Sequence, residues 1–142
     1  MRELKKDQVY DFCKEFLETV PIEELYAEIR KRTGLDDLKF TKTIRENSYE
    51  NPYIIIESQD IADKIGFMKL IMKELYICTF SSRTEVKHAI DENNNIVYYD
   101  SASIWGTINF NYKHPGGGSN GYSFLYYEYS PEEGWTFAND YY

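Results

Sequence analysis

The stretch Pro115-Gly116-Gly117-Gly118-Ser119-Asn120-Gly121 is the first place to look for chemistry. A glycine-rich loop cradles phosphate when its backbone amides aim at the anion, a helix follows, and a lysine closes the site. Here no lysine follows and the next segment reads as a strand, so a phosphate cradle is the weakest of three readings; the others are a hairpin connector and a partner-contacting finger. His88 and His114, the only histidines, lie in no metal-ligand spacing with each other or with a cysteine, so no metal or cofactor is expected. Cys13 and Cys78 each sit among apolar residues and read as buried thiols of a reducing compartment, a disulfide between them staying open. No serine has the spacing of a nucleophile elbow. The carboxylate pairs Asp36/Asp37 and Glu132/Glu133 fall in turn-like sequence, where solvation is the simpler role.

Three triplets place an acid two residues before a lysine: Glu3-Leu4-Lys5, Asp37-Leu38-Lys39 and Glu85-Val86-Lys87. On a strand such a pair projects from one face, an arrangement similar to that of many metal-dependent nucleases. Only Glu85 and Lys87 fall on a later strand, with Asp60 or Asp63 as a second ligand. A charged chain supplies such triplets by chance. The chain holds 16 Lys and Arg against 24 Asp and Glu, a net charge of −8, which repels a phosphate backbone and disfavours direct nucleic-acid binding.

The elements that position these residues come from periodicity. Val9, Phe12, Cys13, Phe16, Leu17 and Val20 share one helical face over 7–20, with Asp7 as N-cap. After Pro21, Ile22, Leu25, Tyr26 and Ile29 mark a second helix that Gly34 ends. Leu38 to Arg45 alternates and Tyr53-Ile54-Ile55-Ile56 is β-branched, which predicts a hairpin around a 47–52 turn. Ile61, Ile65, Met68, Met72 and Leu75 predict a third helix over 61–75 with Asp60 as N-cap. Strands follow at 76–80, 86–90, 96–99, 104–112, 122–129 and 135–138. The expectation is one α+β domain over 1–142: two N-terminal helices, a β-hairpin, a third helix, then an antiparallel β-meander with the helices packed on one face. No apolar run is long enough for a membrane span, and Met1 to Lys6 lacks the pattern of a signal peptide, so the expected location is cytoplasmic.

Charge and aromatics are unevenly spread. Residues 88–142 hold one lysine, Lys113, and seven acids, and nine of the 14 tyrosines. Along the strand 122–129, strict alternation would set Tyr122, Phe124, Tyr126 and Glu128 on one face. Tyrosine combines a large apolar body with a polar tip and is enriched at interfaces. An acidic rim around such tyrosines suits a basic protein partner. The candidate contact residues are Asp100, Asn120, Tyr122, Tyr126, Glu128, Glu132 and Glu133; the alternative is a packed meander with a solvated acidic rim. The oligomeric state is not readable.

In size, charge and lack of a catalytic motif the chain resembles small acidic anti-CRISPR inhibitors of phages and mobile elements, and bacterial toxin-immunity proteins in the same respects. The stretch Gly116 to Phe137, with Gly117-Gly118-Ser119-Asn120-Gly121 and Glu133-Gly134-Trp135-Thr136-Phe137, carries that likeness, about a sixth of the chain. It implies a non-enzymatic inhibitor or DNA-mimic-like decoy that blocks a nucleic-acid-handling protein such as a Cas nuclease. The alternatives are an immunity protein and a small metal-dependent hydrolase or nuclease.

Overall fold

The computed structural model describes residues 1–46, 51–58, 74–113 and 116–139. Two α-helices, α1 (Val9–Thr19) and α2 (Glu23–Thr33), accompany seven strands among these residues: β1 (Glu3–Leu4), β2 (Thr41–Arg45), β3 (Tyr53–Ser58), β4 (Glu74–Ile90), β5 (Ile96–Lys113), β6 (Ser119–Ser130) and β7 (Gly134–Ala138). The strands form one antiparallel sheet in the order β2-β3-β4-β5-β6-β7, and β1 pairs with β5 beside the segment that β6 leaves free.

This corrects the expected architecture. The protein is mostly antiparallel sheet, not three helices set over a meander. The hairpin of β2 and β3 is no separate unit; it is the edge of the same sheet, through Glu57↔Cys78 and Ser58↔Ile77. Residues 60–73 of the expected third helix lie outside the described residues, and Glu74 and Leu75, its last turn, open β4. Leu75 fits both a helical and a strand pattern, and pairing with Tyr112 on β5 decides it. The expected strands 76–80 and 86–90 are one 17-residue strand, and 96–99 and 104–112 are one of 18 residues. Register shifts at Phe80/Arg83 and Val86/His88 break the alternation there, so long bulged strands read as pairs of short ones.

Both N-terminal helices form where the apolar stripes fall. Val9, Cys13, Phe16 and Leu17 of α1 and Leu25, Tyr26 and Ile29 of α2 are buried. The start of α1 differs from expectation: Asp7 lies in a short 3-10 turn, and Gln8 Oε1 accepts the Lys5 N–H at 2.9 Å. Gly34 ends α2 as expected, at φ 72°, its N–H donating to the Arg30 carbonyl. The helices share one core with Ile54 and Ile56 of β3, Leu75, Ile77 and Val86 of β4, Ala102, Ile104 and Ile108 of β5, and Leu125 and Tyr127 of β6. Trp135 Nε1 of β7 donates to the Pro21 carbonyl at 3.0 Å, tying the junction of the helices to the far edge of the sheet. No described helix is long and apolar enough to cross a membrane.

Gly106 has a structural reason. It stands opposite Tyr127, and a Cβ there would meet the Tyr127 hydroxyl at 2.7 Å. Without one, the ring lies fully buried across the neighbouring strand and its hydroxyl reaches Thr79 Oγ1 at 3.3 Å.

Candidate functional site

Alternation on three adjacent strands turns one set of side chains away from the core. Arg83 pairs with Trp105, and Trp105 with Glu128; Glu85 pairs with Ser103. Directly paired residues share a face, so these residues line the outer face of the β4–β5–β6 sheet. The turn after β6 carries Pro131, Glu132 and Glu133 along one side of it. An open groove of about 710 Å³ results, bordered by Glu85, Lys87, Trp105, Glu128, Glu132 and Glu133. Four carboxylates line it against Lys87, with Met1 and His88 also at its border and Arg83 elsewhere on the same face, so acidic side chains predominate over an aromatic floor.

Two of these carboxylates, Glu128 and Glu132, accept side-chain hydrogen bonds, and the turn that carries Glu133 is closed by one. Ser101 Oγ on β5 donates to Glu132 Oε1 at 2.9 Å, and Glu133 N donates to Ser130 Oγ at 3.2 Å, which closes the turn. Gly134, at φ 72°, lets that turn return into β7. Tyr126 Oη donates to Glu128 Oε1 at 2.5 Å. Burial, and then this bond to an ionised acceptor, push the Tyr126 phenol up to about 12. The phenol therefore stays protonated and remains a donor to Glu128.

The structure sorts the expected contact residues. Glu128, Glu132 and Glu133 meet at the groove, and Tyr126 stands next to it on the same face. Tyr122 does not join them. Ile108 pairs with Leu125 but Asn109 pairs with Ser123, so Phe124 is an extra residue and the alternation of β6 flips at that point. Tyr122 consequently stands opposite Phe110 on the other side of the sheet, half exposed, its ring 5.5 Å from that of Phe110. Asp100 is also elsewhere: its carboxylate accepts the Arg2 N–H at 2.6 Å and pins β1 to β5. Asn120 holds a ladder position opposite Tyr112 at the start of β6. The glycine-rich loop links Lys113 to Ser119 across one ladder, with Gly117 and Gly118 at positive φ, and a strand follows it. His114 and Pro115 lie outside the described residues.

Trp105 and Ser101 escaped the reading of the sequence. A signal for Trp105 was present, since it shares the odd-numbered phase of Thr107 and Asn109, which alternate with apolar residues. The groove also contains Glu85 and Lys87 of the acid-x-lysine triplet, whereas Asp60 and Asp63 lie outside the described residues. Among the described residues no three His, Cys, Asp or Glu side chains gather as a metal ion would require. His88 Nδ1 lies 3.1 Å from the Val86 carbonyl. Both cysteines are buried free thiols; burial pushes Cys13 up to about 12 and, with the charge of Glu57, Cys78 up to about 11. Neither is placed as a nucleophile.

The chain matches no family model, no curated protein and no solved structure.

Proposed function

We propose that this protein acts by binding a basic protein surface, as a non-enzymatic inhibitor or decoy of a nucleic-acid-handling protein such as a CRISPR nuclease. The observation that supports this reading is the groove on the outer sheet face, which Glu85, Glu128, Glu132 and Glu133 line beside Trp105, with Lys87 the one lysine or arginine among its described lining residues. A surface that normally holds phosphates offers the lysines and arginines such a groove attracts. Opposite potentials accelerate encounter, and aromatic side chains that become buried supply most of the affinity.

The test measures association with, and inhibition of, a panel of purified CRISPR nucleases and other basic nucleic-acid-handling proteins. Glu132→Lys with Glu133→Lys is expected to slow association about tenfold at low salt and much less at high salt. Tyr126→Ala, which frees Glu128, is expected to speed dissociation. If both variants bind and inhibit as the wild type does, the acidic rim is only a solvated border of the sheet.

A further inference from the structure

A second concavity lies on the same outer face, at the other side of the sheet. β3 pairs with β4 only at Glu57↔Cys78 and Ser58↔Ile77, and among the described residues the two strands share no further ladder toward Tyr53. Beyond Thr79 the β4 register shifts between Phe80 and Arg83. The wedge left between the strands is a pocket of about 300 Å³. Tyr53, Ile55 and Glu57 form its β3 wall; Tyr76 and Cys78 form its β4 wall. The size is at the small end of ligand sites, and the walls are mainly apolar with a few polar groups, as in such sites.

The chemistry of that lining is selective. Glu57 has no ion-pair partner among the described residues. Its side chain lines the wedge beside Tyr53, Ile55 and Cys78. Cys78 itself is occupied: Asn111 Nδ2 donates to its Sγ at 2.6 Å, and Gly121 opposite Asn111 leaves the space that this side chain uses. The thiol is thus part of a fixed floor. No lysine or arginine lines the pocket; Arg45, across the ladder from Tyr53, stands outside it. A carboxylate with no ion-pair partner among the described residues, beside two tyrosines and an isoleucine, is the combination that holds an alkylammonium group, with the charge on the carboxylate and the methylenes on the ring faces. A neutral apolar ligand would leave the carboxylate desolvated, and an anion would be repelled.

We infer that the wedge between β3 and β4 is a binding site for an organic cation of the alkylammonium class, with Glu57 as counter-ion and Tyr53 and Tyr76 as walls. The site is separate from the acidic groove and does not depend on the function proposed for it. The same chemistry has two sources, a free amine or the lysine side chain of a protein.

The probes are n-butylammonium, its uncharged counterpart 1-butanol, and a capped tripeptide with one central lysine, each titrated into the full chain with backbone NMR and calorimetry as readouts. Butylammonium is expected to bind saturably, shifting Tyr53, Ile55, Tyr76 and Cys78, and at least tenfold more tightly than butanol. Glu57→Gln should remove that tenfold preference without changing the dispersion of the spectrum, and Glu57→Asp should keep part of it. Glu132→Lys with Glu133→Lys should leave it intact, so the two sites fail independently. A tripeptide tenfold tighter than butylammonium would assign the site to a protein side chain, and equal affinity to a free amine; either supports the inference. Equal affinity for butylammonium and butanol, no shifts at the four residues, or a preference that survives Glu57→Gln would overturn it.

Discussion

Strand β5 shows the two faces of the sheet side by side. On one, Ala102, Ile104 and Ile108 are buried against apolar neighbours from β4, β6 and the helices. On the other, Ser101, Ser103 and Trp105 stay partly exposed and border a groove with Glu85, Glu128, Glu132 and Glu133. The same backbone thus serves two purposes at a two-residue period. The core face depends on volume and loses stability when volume changes. The outer face carries charge and hydrogen bonding and should tolerate change in stability terms: Glu128 and Glu132 are hydrogen-bonded there, and Glu57 has no ion-pair partner among the described residues.

The sharpest break of this comparison is in the core. Ile104→Ala should lower the unfolding free energy by about 2–5 kcal/mol through lost burial and a residual cavity. Ser103→Ala, one residue away on the outer face, should change it by less than about 0.5 kcal/mol. Urea unfolding of both variants checks this, and equal losses would mean that both faces are packed. Next in size, Gly106→Ala should cost about 1–3 kcal/mol by crowding the buried Tyr127 ring. Pairing it with Tyr127→Phe, which removes the nearest atom, should recover part of that loss in a double-mutant cycle.

A smaller effect sharpens the outer face. The folded-state pKa of Tyr126 is raised to about 12, above the ordinary value of 10.0. Below about pH 10 the phenol is protonated in both folded and unfolded chains. As pH rises from 10 toward 12 the unfolded chain loses this proton first, so the stability contributed by the Tyr126–Glu128 pair falls through that window. Tyr126→Phe should remove this part of the alkaline destabilisation. An unchanged stability curve between pH 10 and 12 would mean that the phenol titrates normally.

The architecture was misread, but local elements were legible where one period ran without interruption. The stripes of α1 and α2, the left-handed Gly34 and the hairpin of β2 and β3 all follow from simple spacing. Legibility failed at the bulges. The extra residue Phe124 reverses the phase of β6, so alternation placed Tyr122 beside Tyr126 when they stand on opposite faces. Irregularities at Phe80/Arg83 and near His88 hid the length of β4. Leu75 satisfied a helical offset but belongs to a strand, because pairing with β5 outweighs local periodicity. The site was only half visible for a related reason. Glu132 and Glu133 stand out by composition, whereas Glu85, Trp105 and Glu128 meet only through the register of three strands. Asp100 stood out equally by charge, yet it serves to anchor β1.

The most direct test of the central claim is the salt dependence of binding to a responsive member of the nuclease panel, for the wild type and for Glu132→Lys with Glu133→Lys. The account predicts that wild-type affinity falls steeply as salt rises, and that the double variant binds about tenfold more weakly at low salt with a shallower slope. Identical affinities and slopes for the two proteins, or no binding to any basic partner at any salt, would contradict it.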